Sequence, residues 1–132
     1  MKRKHAFAAL LAALVLTTGC REQASGEYVT LTGKVFIFNY RIAEASYVVT
    51  LGTVRQLTEG SVALASFENP AGGEPFVVRQ KVSPNAEKIV LESPPLACVR
   101  KGKAYQISIT IMDARGMELQ RIETKLTSSL DQ

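Results

Sequence analysis

The sequence predicts an all-β domain, an antiparallel β-sandwich of about seven strands, and three observations carry that prediction. Apolar and polar residues alternate with period two in segment after segment from Tyr28 onward. Clusters of Gly, Pro, Asn and Asp separate those segments at short intervals. No stretch of the same region repeats its apolar residues at the 3.6-residue period of a helix. Short strands with turn signals between them close most economically as two packed antiparallel sheets.

The strands follow in order. "YVTLTGKVFIFNY" (28–40) opens the series, with Gly33 marking a candidate bulge. "SYVVTLGTV" (46–54) and "SVALASF" (61–67) come next, and "NPAGG" (69–73) is a turn cluster. In "PFVVRQKV" (75–82), Phe76, Val78 and Val82 share one side while Arg79 and Lys81 point away. "KIVLES" (88–93) is shorter and stops at Pro94 and Pro95, neither of which can give a ladder N–H. "AYQISITIMD" (104–113) alternates most strictly, with Tyr105, Ile107, Ile109 and Ile111 on one face. "DARG" (113–116) turns it into "MELQRIETKL" (117–126) as a hairpin. The whole forms one domain over residues 28–132.

The segment before this domain has a different grammar. Lys2, Arg3 and Lys4 precede 13 uncharged residues (6–18) rich in Ala and Leu, and small residues follow. That is the three-part pattern of an export signal. Thirteen helical residues cover about 20 Å, short of the ~30 Å hydrocarbon core, so a permanent transmembrane helix fits less well. The segment ends "LTTGC", which resembles the bacterial lipobox. The resemblance implies cleavage after residue 19 and a diacylglyceryl and N-acyl lipid on Cys20. Thr17 stands where lipoboxes favour Leu, and Leu16 lies one place earlier. Two or more acyl chains make a durable anchor where one holds marginally. Arg21, in place of the aspartate that retains such proteins at the inner membrane, implies passage by the lipoprotein-sorting machinery to the outer membrane. Attachment to outer-membrane lipid on the periplasmic face follows from that. Residues 20–27 then read as the lipidated cysteine and a short polar tether, with "REQASGE" (21–27) reaching about 25 Å at full extension.

Composition narrows the chemistry. Of the 16 basic residues, three stand in the first four positions, which leaves 13 against 12 acidic residues in the remainder. A near-neutral body without a basic stripe argues against nucleic acid as a partner. The single histidine, His5, also lies in the leading segment. Residues 21–132 therefore cannot assemble the Ser–His, Cys–His or zinc–histidine arrangements of hydrolases and metal sites. Glu118 and Glu123 lack the spacing of paired acid–base carboxylates, and Gly72 and Gly73 open no phosphate-binding loop. The expectation is a non-enzyme with no catalytic residue, no metal site and no cofactor beyond the lipid.

Three features remain. Phe36, Phe38 and Tyr40 share one face of the first strand while Val35 and Ile37 share the other. A strand apolar on both faces is either covered on both sides or offers one face to a partner, so Phe36, Phe38 and Tyr40 are the candidate partner-binding residues. Cys98, in "SPPLACV", reads as a small buried hydrophobe, with a bridge to Cys20 as the alternative. Arg100, Lys101 and Lys103, grouped around Gly102, read as a solvated turn.

The residues also resemble a family. Thr32, Gly33 and Val35, then Arg41, Ile42 and Ala43, then Val49 and Leu51, then Pro75 and Phe76, and finally "YQISITIMDARGMEL" are similar to the YscW/YbaY lipoprotein group over most of residues 28–126. One branch consists of type III secretion pilotins, outer-membrane lipoproteins that bind the C-terminal region of a secretin subunit. The resemblance thus implies a pilotin that promotes secretin targeting and oligomerisation. The other branch implies a housekeeping envelope lipoprotein with a structural or stress role.

Overall fold

The computed structural model describes residues 27–132. The leading segment 1–19, Cys20 and all of the tether but Glu27 lie outside the described residues. Seven strands run in chain order: β1 Val29–Asn39, β2 Glu44–Thr53, β3 Val62–Phe67, β4 Phe76–Lys81, β5 Lys88–Glu92, β6 Ala104–Met112 and β7 Glu118–Thr127. They form two antiparallel sheets, β1-β2-β5 and β4-β3-β6-β7. The expected all-β sandwich is what the chain adopts, and each strand read from the alternation is present within a residue or two.

The sheets close on one another through their inward side chains. Ala45, Tyr47, Val49 and Leu51 of β2 and Ile89 and Leu91 of β5 supply one inner face. Ala63, Ala65 and Phe67 of β3 and Tyr105, Ile107, Ile109 and Ile111 of β6 supply the other. Of the central strands, β2 and β6 alternate buried and less buried residues along their length. The Tyr47 ring lies flat on Phe67 at 5.2 Å, joining the two sheets by an aromatic stack. Its hydroxyl donates to the Glu68 carbonyl at 2.8 Å, which satisfies the polar tip of a fully buried side chain.

Strand β1 is an edge strand, and a bulge governs which of its residues face inward. Leu31 pairs with Leu51, but Gly33 pairs with Thr50, so Thr32 is the extra residue. The parity of the strand changes there: Val29 and Leu31 face the core before the bulge, and Lys34, Phe36 and Phe38 do so after it. Val35 and Ile37 therefore look outward, each about half exposed.

The free edges of β1 and β7 run along the same side of the sandwich, and side chains join them where no ladder does. The Gln120 amide behaves like a peptide group. Its Oε1 accepts from Tyr28 N–H at 2.8 Å and Val29 N–H at 3.0 Å, and its Nε2 donates to the Val29 carbonyl at 2.9 Å. Further along, Lys34 Nζ donates to Thr124 Oγ1 and the Lys125 carbonyl, both at 2.6 Å. Beyond Lys34, no hydrogen bond crosses the seam among the described residues.

Candidate functional site

The two ends of the sandwich differ. At the tether end, Tyr28 leads into β1 beside the loop that follows β2, and the Arg55 guanidinium covers the Tyr28 ring at 4.6 Å. At the opposite end, the β1–β2 turn, the β5–β6 loop and the C-terminus are sewn together. Gln132 Nε2 donates to the carbonyls of Ala43 at 3.3 Å and Leu96 at 2.6 Å, and Gln132 N–H donates to the Val99 carbonyl at 2.9 Å. We call this end the tip.

The residues singled out in the sequence meet there. Phe36 is half-buried, 4.8 Å from the Tyr47 ring and 5.8 Å edge-on from Tyr105. Phe38 follows at 5.9 Å, and Tyr40 stacks on Phe38 at 6.0 Å. The three rings form a ladder that begins in the core and ends on Tyr40, which is 68% exposed. Phe36 and Phe38 thus serve the core, and among the three only Tyr40 is freely presented. The outward apolar residues of the strand are Val35 and Ile37, and Ile42 in the turn joins them at 59% exposure.

The basic group lies beside the ladder. Arg100, Lys101 and Lys103 are exposed, as expected of a turn, and Gly102 has the positive φ of 79° that the turn requires. The Arg100 N–H donates to the Tyr105 hydroxyl at 2.9 Å, and Lys103 Nζ lies 5.1 Å from the centre of that ring. Arg41 sits in the β1–β2 turn, exposed. Among the described residues the ion pairs are Arg121 with Glu118 and with Glu123, so none of these four cations is paired.

Cys98 corrects an expectation. Its thiol is exposed rather than buried, and its backbone takes φ +68°. The cause is the double proline before it: with Pro94 and Pro95 ending the ladder, the chain turns Leu96 and Val99 into the core. Ala97 and Cys98 are left outside in the loop between them.

Few titratable groups are perturbed. Burial pushes the Tyr47 phenol above its ordinary value, with Glu68 and then Tyr105 adding to the effect. The Arg121 guanidinium is raised by its hydrogen bond to Glu118 and by that residue's charge. Among the described residues no group of three or more His, Cys, Asp and Glu side chains is placed to hold a metal ion. Shallow hollows occur at both ends. One at the tip, about 180 Å³, is lined by Ile37, Asn39, Glu44, Ser46, Glu92 and Pro95 among others.

Sequence reasoning placed Phe36, Phe38 and Tyr40 on one face correctly but did not find the exposure of Val35 and Ile37. The signal available for it was the charge-free run from Val35 to Asn39 in a strand that turns out to be an edge.

No family model and no curated protein matches the chain. Among solved structures it is similar to an endonuclease/exonuclease/phosphatase from Beutenbergia cavernae, at 13% identity and a TM-score of 0.38, over 73% of this chain and 27% of that one. It is also similar to wild-type OgpA from Akkermansia muciniphila, at 10% identity and a TM-score of 0.44, over 82% of this chain and 30% of that one. The chain spans less than a third of the length of either.

Proposed function

We propose that this protein is an outer-membrane lipoprotein, anchored through acyl chains on Cys20, that acts as a pilotin. It binds the C-terminal region of a secretin subunit and promotes its targeting and oligomerisation in type III secretion. The reading is of a binding protein, with no reaction assigned to it. The observation that supports it best is where apolar surface stands exposed. Val35, Ile37, Tyr40 and Ile42 lie along the half of β1 and the turn farthest from the tether. An anchored escort needs its grip away from its anchor, and exposed apolar side chains gathered on one charge-free half-strand and its turn suit a protein-binding surface. The lipobox-like "LTTGC" and the resemblance of residues 28–126 supply the address and the class of partner.

The test replaces Cys20 by Ser in cells that carry the secretin. The variant should remain a folded, soluble periplasmic protein, and the secretin should fail to assemble in the outer membrane. Unchanged secretin multimers at an unchanged location would overturn the reading.

A further inference from the structure

The two outer faces of the sandwich differ. The outward side of β4-β3-β6-β7 is polar: β7 presents Arg121, Glu123 and Lys125, and Glu123 accepts hydrogen bonds from Gln106 and Ser108 of β6. Among the described residues Val77 is the only large apolar side chain exposed on its strands. The outward side of β1-β2-β5 is apolar instead. Tyr47, Val49 and Leu51 face the core, which turns Val48 outward, and Ile89 and Leu91 do the same for Val90. Val35 stands directly opposite Val48, Ile37 lies two residues along β1, and Val90 is diagonal to Val48. Val35, Ile37 and Val90 are 50%, 48% and 41% exposed. Where an antiparallel sheet usually solvates its outer face with polar residues, this one leaves four branched apolar side chains together.

Two carboxylates border that patch at the tip. Glu92 stands opposite Val48 across the ladder, and Glu44 opens β2. With Ile37, Ser46 and Pro95 they line the hollow of about 180 Å³ at the tip, and no cation lines it. Ser46 Oγ donates to Glu92 Oε1 at 2.9 Å. Among the described residues no other hydrogen bond and no ion pair reaches either side-chain carboxylate. Lys88 is the only cation on the outward side of the three strands. It lies four residues from Glu92, about 13 Å along β5, past the ~8 Å over which physiological salt screens charges. Arg41, three residues before Glu44, pairs with neither carboxylate. Glu68, Glu74, Arg100, Lys101, Lys103 and Asp131 lie on segments that run into or out of the other sheet, and none lines the hollow.

We propose that this face docks a segment of a partner protein whose apolar side chains cover Val35, Ile37, Val48 and Val90 and whose lysine or arginine enters the hollow at Glu44 and Glu92. The inference rests on the proposed function for the partner being an escorted protein, and it adds the surface and its chemistry. The aliphatic stem of such a side chain lies on Ile37 and Pro95 while its charged head meets the carboxylates. The same two charges repel an anionic bilayer, and a second copy would bring two carboxylates to a face that holds one cation.

Amide NMR shifts of the full chain in phosphatidylcholine nanodiscs read the site directly. A synthetic peptide of alternating leucine and lysine should move the Ser46, Val48 and Glu92 amides saturably, and its leucine–glutamate counterpart should not. Glu44→Gln combined with Glu92→Gln should weaken binding of the lysine peptide roughly tenfold while the β6–β7 amides keep their positions. Ile37→Ser, on the exposed side of β1, should weaken it as well. Equal binding of the two peptides, or binding indifferent to the double substitution, overturns the proposal. If the same amides move with protein concentration alone, a second copy covers the face and the proposal is wrong. The secretin C-terminal segment separates this inference from the function it rests on. If that segment co-purifies with the chain yet moves none of these amides, the face is not the site and the pilotin reading stands. If the lysine peptide binds there and the secretin segment binds nowhere, the site stands and the pilotin reading falls.

Discussion

At the scale of single residues, Tyr47 shows how much one buried polar atom constrains the fold. Its ring joins the two sheets and its hydroxyl has a single partner, the Glu68 carbonyl. Tyr47→Phe keeps the ring and removes the bond, which should cost about 1 kcal/mol in urea unfolding at neutral pH. The same phenol sets an alkaline limit. Its folded-state pKa is raised by burial, so the folded protein holds the proton after the unfolded chain has begun to release it near pH 10. Stability from this source is complete below that pH and declines as pH rises above it. Tyr47→Phe should therefore flatten the alkaline limb of a stability–pH curve relative to the parent. Equal slopes in the two proteins would show that another group controls that limb. Sequence alone placed Tyr47 in a strand but gave no hint of its partner 21 residues away. Cys98 was illegible for a related reason: "LACV" looks like core, and only the path forced by Pro94 and Pro95 turns the thiol outward.

Among elements, the strands themselves were readable, because a face buried against a second sheet imposes alternation and turns impose Gly, Pro and Asp. Their neighbours in the sheets were not. Nothing within 28–40 says that β1 is an edge strand; that follows from β2 pairing with β5 on its other side. The bulge at Thr32 also hides the true inner set, since it shifts parity midway through the strand. The join between β1 and β7 was equally hidden, being made by two side chains, Gln120 and Lys34, each about 90 residues from the groups it pairs with. Gln120→Ala should remove three hydrogen bonds and leave the N–H and C=O of the buried Val29 without partners, a loss of about 2–3 kcal/mol. The urea midpoint should fall with no change in m, as for a loss of stability without a change of denatured state. Gln120→Glu keeps the acceptor and loses the donor, and should fall between the two. If Gln120→Ala unfolds at the parental midpoint, the seam is held by the Lys34 hydrogen bonds and the packing of Ile122 and Leu126.

For the molecule as a whole, the decisive geometry is the distance between its ends. β1 has 11 residues, which at about 3.3 Å each carry the tip roughly 36 Å from the point where the tether enters. The tether end exposes Val54 at 59% and Met117 at 64%, with Arg55 and Arg115 beside them. Apolar side chains flanked by cations suit the headgroup layer of a bilayer containing anionic lipid. If Cys20 carries the acyl chains, a tether of at most about 25 Å lets this end rest on the membrane while the tip and the open edge of β1 face away from it. The orientation is measurable. With Cys98 replaced by Ser, a polarity-sensitive dye on Met117→Cys should shift to the emission of a membrane-contacting probe when the lipidated chain is in anionic vesicles. The same dye on Ile42→Cys should keep its aqueous emission. High salt should reverse the Met117 signal if the cations supply the contact, because their attraction to the surface is screened within a Debye length. A membrane-like signal from Ile42 instead would place the tip against the bilayer and overturn this orientation.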